Sequence, residues 1–202
     1  MATKILVRAN GPLVVEGELA SGMSDLWSYP SQGGVGTRLT FGPGPKGFSA
    51  WSPDGKYVAY ACHFGGMPAI CRKPADGSGA EETLFKLPPD TLSSHVVDWS
   101  PDGHYLSFDV EDAKNQRWGS WVLALDGSQK PFQPAPVNAN QFDGDFSPDG
   151  HWFAYISDES GQKQLYVIPF PGKGPAMQVS TTGVVTGGWV PRQAKLAYET
   201  PD

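Results

Sequence analysis

The sequence predicts an all-β fold, a β-propeller of four-stranded antiparallel blades. The first observation is a repeat: Trp51-Ser-Pro-Asp-Gly55 returns as Trp99-Ser-Pro-Asp-Gly103 and Phe146-Ser-Pro-Asp-Gly150, with a degenerate copy at Trp189-Val-Pro-Arg-Gln193, at steps of 48, 47 and 43 residues. The second is an aromatic nine positions into every copy, at Tyr60, Phe108, Tyr155 and Tyr198. The third is composition: 25 Gly and 19 Pro in 202 residues, with only 18% charged residues, exclude a coiled coil or helical bundle. Seven Trp, seven Tyr and ten Phe exclude a disordered chain, because they can build a core. A period of roughly 40–50 residues holding four short strands is the pattern of propeller blades.

Each element has a local reason. In Ser-Pro-Asp-Gly, proline presets φ, aspartate suits the next turn position and glycine takes the positive-φ position, so the motif reads as a tight turn between antiparallel strands. The alternation around Tyr57–Tyr60 supplies the second strand. With strands lettered a to d from the channel outwards, strand c is expected at 69–73, 120–125 and 164–168, each running into a glycine turn (Gly77, Gly127, Gly172). Strand d is expected at 82–85, 130–132 and 177–180. At the N-terminus, 25–29 and 37–40 match c and d, 4–8 resembles a b strand, and 12–15 is a further short strand.

One domain is expected, with a partial first blade at 1–42, blades at 43–88, 89–134 and 135–181, and a partial last blade at 182–202. Pairing of the segment near 184–199 with that near 25–41 would make about four blades with a composite N/C-terminal blade, hiding two raw sheet edges. The surplus b-like strand at 4–8 points the other way, to a homodimer sharing two composite blades.

The Trp-Ser-Pro-Asp-Gly copies, followed by Tyr-Val-Ala-Tyr or Trp-Phe-Ala-Tyr, resemble TolB-like, WD-repeat-like propeller repeats. Arg38-Leu-Thr-Phe41, Lys73-Pro-Ala-Asp-Gly-Ser78, Leu123-Ala-Leu-Asp-Gly-Ser128 and Val167-Ile-Pro-Phe-Pro-Gly172 are similar to propellers attached to bacterial serine/threonine kinase-like proteins. The resemblance covers about residues 25–199 and implies a propeller acting as scaffold, substrate gate or sensor. Such propellers usually carry six or more blades, more than this chain can supply.

A formal charge of −6 argues against nucleic acid as a partner. No apolar run reaches the length of a membrane span, and the short N-terminal run is broken by Arg8 and Asn10 before any signal-peptide pattern develops. The chain by itself reads as cytoplasmic, or periplasmic if a leader precedes it. Cys62 and Cys71 are then expected as buried free thiols.

No nucleophile elbow, zinc-protease helix, phosphate loop or Cys-x-x-Cys is present, so no catalytic residue, metal or cofactor is expected. His104 and His151 follow hairpin turns where the first copy has Lys56, which marks a solvated position. His95 has no such equivalent, and Asp98 and Asp145 directly precede the motif aromatic with Asp143 close by. These four side chains near a channel could hold a cation, the three carboxylates through oxygen ligands, or the carboxylates could accept neighbouring backbone N–H groups. The long b–c and d–a loops gather on one face, where recognition usually resides. Phe64, Met67, Arg117 and Trp118 lie there, and aromatic, Met and Arg side chains are enriched in interface cores. The sequence therefore points to a non-enzymatic scaffold binding a protein or peptide on its long-loop face. The alternatives are an accessory propeller of a kinase-like or peptidase-like protein, and a channel sensor for a cation or small ligand.

Overall fold

A computed structural model describes residues 4–6, 13–18, 24–30, 32–42, 44, 46–128, 130–135, 138–172 and 174–201. Within them every regular element is a β-strand, and no helix is long and apolar enough to cross a membrane. The chain divides into two compact units, Met1–Pro89 and Asp90–Asp202.

The first unit holds two four-stranded antiparallel sheets. One orders β1 (Lys4–Leu6), β2 (Leu13–Glu18), β3 (Ser24–Tyr29) and β4 (Thr37–Arg38) in sequence. The other orders β5 (Gly47–Trp51), β6 (Tyr57–Phe64), β7 (Met67–Pro74) and β8 (Glu82–Lys86). The second unit begins with a three-stranded sheet of β9 (Thr91–Trp99), β10 (Tyr105–Asp112) and β11 (Arg117–Ala124). It continues with a four-stranded sheet of β12 (Gln141–Phe146), β13 (Trp152–Ser157), β14 (Gln164–Pro169) and β15 (Met177–Gln178), and then the pair β16 (Thr186–Trp189) and β17 (Leu196–Glu199).

The turn motif works as its residues dictate. In the first copy the Ser52 hydroxyl donates to Asp54 and accepts from the Tyr57 amide, Asp54 accepts from the Lys56 amide, and the Gly55 amide donates to the Ser52 carbonyl. The same bonds recur around Ser100/Asp102 and Ser147/Asp149. Gly55, Gly103 and Gly150 stand at φ 74°, 79° and 73°, which only glycine adopts freely. The Ser52 hydroxyl, and after it the Lys56 amide, hold the Asp54 carboxyl down at about 2.

The aromatics then fill the core. Tyr60, Phe108 and Tyr155 are all but fully buried. In the first unit, Tyr60 joins Leu26, Leu39, Val58 and Ala69 in one cluster with Trp51 against it. In the second, Phe146 packs with Val122, Phe153 and Phe170, its ring 5.3 Å from Phe153 and 5.0 Å from Phe170.

Three expectations are corrected. The place beside β3 that the sequence reading gave to the C-terminal segment is taken by β2, in the register Leu13↔Tyr29 through Glu18↔Ser24. The strand beginning at Lys4 therefore has position a rather than b, paired with β2 alone; Val7, Arg8 and Pro12, read from sequence as strand residues, lie outside the described residues. Residues 130–132 make only a single bridge, Val122↔Phe132, instead of a full d strand, as befits a short segment with Pro131, which has no N–H to donate. Finally, Cys62 and Cys71 form a disulfide rather than free thiols. The β6–β7 ladder sets Cys62 opposite Ala69 and Tyr60 opposite Cys71, so the cysteines are diagonal neighbours with Cα atoms 6.0 Å apart, a spacing a disulfide accepts.

Candidate functional site

The second unit gathers several sequence-predicted residues at one end of its sheets. The β9–β10 ladder puts His95 opposite Asp109, and the β10–β11 ladder puts Trp118 opposite Glu111 and Arg117 opposite Asp112. Three rings form a row: His95 lies 4.7 Å from Trp118, and Trp118 lies 6.0 Å from Phe142. The Lys163 ammonium sits 4.3 Å from the Phe142 ring centre, a cation–π contact. All three rings are half-buried and Lys163 is exposed, with Phe142 packed against the Ala154, Ile156 and Leu165 cluster.

Polar groups fix this row from beneath. The Trp118 amide donates to the Asn140 side chain, whose own NH₂ donates to Asp158 at 2.7 Å. The Arg117 guanidinium donates to Asn138, and Ser93 bonds His95 at 3.3 Å. The Gln133 side chain lies over Gly119, its amide nitrogen 2.7 Å from where a Cβ would stand. The d–a loop is thereby held against β11.

Asp109 anchors the same end from inside. It is 2% exposed, accepts the Ser120 hydroxyl proton at 2.6 Å, and accepts the Asp143 amide at 2.8 Å. That amide belongs to a bulge in β12 where Asp143 has φ 54°. Burial pushes the Asp109 carboxyl up to about 7 against the pull of its donors. The bulge sets the start of β12, and with it Phe142.

Asp98 and Asp145 turn out to be latches between successive sheets. Asp98 Oδ2 accepts the Phe146 amide at 3.1 Å, and Asp145 Oδ2 accepts the Trp189 amide at 2.7 Å. Each carboxylate thus grips the motif aromatic of the next repeat. The equivalent position is Ala50 in the first copy and Gly188 in the last, where a Cβ would lie 2.5 Å from Asp145 Oδ2. Burial, then the nearby Asp98 charge, raises the Asp145 carboxyl well above its ordinary value. His95, Asp98, Asp143 and Asp145 supply no three converging donors; among the described residues only Cys62, Cys71 and Glu81 bring three donor atoms within 4.8 Å of one another.

In the first unit, Phe64 and Met67 flank the β6–β7 turn over Gly65 and Gly66 and are 50% and 39% exposed. The Lys86 ammonium lies 4.9 Å from the Phe64 ring centre. The same pairing of half-open ring and lysine therefore occurs in both units, each time at the b–c end of a sheet. Sequence reasoning named Phe64, Met67, Arg117, Trp118 and His95 but missed Phe142 and Lys163. Phe142 occupies the His95 position of the next repeat, and Lys163 ends a long b–c loop, so both were within reach of the repeat alignment.

At the opposite, short-turn end of the second unit, a cleft of about 200 Å³ is lined by Ser100, Asp102, His104, Tyr105, Asp126 and Phe170 among others. Its Ser-Asp-His set is no triad: Ser100 and Asp102 make the turn bonds found in the other two copies, and Lys56 replaces the histidine in the first.

No protein-family profile matches the chain. An uncharacterised protein of Agrobacterium fabrum is 28% identical over 144 residues, which are 65% of this chain and 46% of that protein. TolB from Acinetobacter baumannii superposes with a TM-score of 0.70 at 18% identity, over 96% of this chain and 51% of TolB. A chain of the nidogen–laminin complex gives 0.70 at 12% identity, over 95% of this chain and 68% of the other. A puromycin-hydrolysing peptidase of Mycobacterium tuberculosis gives 0.63 at 17%, over 90% of this chain and 31% of the enzyme. The chain has the β-propeller fold. It spans about half the length of the curated relative and of TolB.

Proposed function

We propose that this propeller is a non-enzymatic module that binds a protein or peptide at the long-loop ends of its sheets. The observation that carries the reading is the row His95–Trp118–Phe142 with Lys163 over one end. Half-open aromatic rings offer large contact area at small entropic cost, and the flanking cation adds orientation for carboxylate or carbonyl groups. A second recognition point at Phe64 and Met67 has the same composition. The lack of any catalytic motif in the sequence supports a binding rather than a chemical role. The likeness to a nidogen–laminin complex chain favours a protein partner by analogy of fold.

The likeness to a peptidase of which the chain spans 31% favours a second reading, an accessory propeller of a larger enzyme. One experiment addresses the binding reading. Random-peptide display on the full chain yields ligands, whose affinities are then measured against Trp118→Ala and His95→Ala. Loss of about 30-fold or more on Trp118→Ala is expected, the scale of an interface hot spot. Ligands insensitive to both substitutions and to Phe64→Ala overturn the reading.

A further inference from the structure

We propose that the Cys62–Cys71 disulfide closes a latent zinc site, and that the reduced pair binds one Zn²⁺ together with Glu81. These three residues place their donor atoms within 4.8 Å of one another. Cys62 and Cys71 are 2% and 0% exposed and are held by facing strands of one ladder, so their separation is set by β6–β7 pairing rather than by a mobile loop. Glu81 is exposed and marks the solvent side. Its carboxylate is itself positioned: the Tyr60 hydroxyl donates to Glu81 Oε2 at 2.6 Å. Tyr60 is fully buried and stands directly opposite Cys71.

Two sulfurs and one carboxylate suit zinc, which accepts both ligand types tetrahedrally, and three protein ligands leave a fourth position open. Joined to each other, the sulfurs carry no thiolate and ligate poorly. A phosphine reductant breaks the S–S bond: the phosphorus takes an oxygen from water and becomes a phosphine oxide, and the water protons leave the sulfurs as two thiols. Zn²⁺ then displaces both thiol protons and forms two Zn–S bonds and one Zn–O bond. Cys62 and Cys71 belong to the buried cluster that also holds Leu26, Leu39, Val58 and Ala69. That apolar shell disfavours bare thiolates, so deprotonation is tied to arrival of the dication.

The test uses the full chain and Co²⁺ as a spectroscopic probe. The phosphine-reduced protein should develop thiolate-to-cobalt charge-transfer absorption that one equivalent of Zn²⁺ removes, and the disulfide form should not. Cys62→Ser should abolish the band. Competition with a chelating indicator should show Glu81→Gln weakening Zn²⁺ roughly tenfold or more, with Tyr60→Phe acting in the same direction, as loss of ligand-orienting groups does. No band in the reduced wild-type protein overturns the proposal. So does a Glu81→Gln variant that binds Zn²⁺ as tightly as wild type, because two thiols in a loosened chain would then suffice.

Discussion

Replacing Asp109 by Asn should change stability little in acid and make the protein relatively more stable near neutrality. Asp109 is buried between β9 and β11, with Ser120 on one oxygen and the β12 bulge on the other. Its carboxyl rises from 3.8 to about 7 in the fold. The unfolded chain releases this proton near pH 4 while the native state keeps it until about pH 7, so between those limits folding takes up a proton and stability falls as pH rises. Each pH unit costs about 1.4 kcal/mol, so the whole interval is worth on the order of 4 kcal/mol. Asn has the same shape and no charge to bury. Its carbonyl can accept the bulge amide and its NH₂ can face the Ser120 oxygen. Urea denaturation of both proteins from pH 4 to pH 8, followed by tryptophan fluorescence, isolates the term as a difference in which the other titrating groups cancel. The difference should swing in favour of Asn by several kcal/mol as pH rises to 7 and then level off. A difference that stays constant across this range would mean that Asp109 does not hold its proton in the fold, and would refute the argument.

Gly103→Val should lower stability by about 1–3 kcal/mol, the scale of one strained backbone position; no atom crowds the new side chain, so φ 79° alone is responsible, and unchanged denaturation midpoints would contradict this. The Cys62→Ser/Cys71→Ser pair should cost about 2–3 kcal/mol, as expected for a link between residues nine apart, measured against the oxidised wild-type protein. Asp145→Ala should leave the Trp189 amide without its acceptor and speed hydrogen exchange there, with little change at the Phe146 amide, which Asp98 holds. Asp98→Ala should reverse that pattern.

The repeat made most of the local structure legible. Ser-Pro-Asp-Gly encodes its turn because proline, aspartate and glycine act on backbone angles and hydrogen bonds within five residues, and the structure shows the same bonds in all three intact copies. The aromatic rows Tyr60, Phe108 and Tyr155 followed from spacing alone, and so did the placement of Trp118 and Phe64 at b–c ends. What spacing could not decide was partnership between segments far apart in sequence. Leu13–Glu18 and Lys195–Glu199 both carry strand-like patterns, and only the folded backbone shows which of them pairs with Ser24–Tyr29. Tyr198 carries the same sequence mark as Tyr60, yet it is 42% exposed because its sheet has only two strands. The sequence allowed Asp98 and Asp145 to accept backbone N–H groups but did not show which ones, because the amides they hold, those of Phe146 and Trp189, lie 48 and 44 residues further on. Cys62 and Cys71 are legible in the sequence as facing strands of one hairpin, and thiols are expected only from a reducing compartment; the ladder sets them as diagonal neighbours joined in a disulfide. Sequence fixes interactions whose partners are within one turn, and tertiary structure decides those whose partners are brought together only by the closing of a sheet.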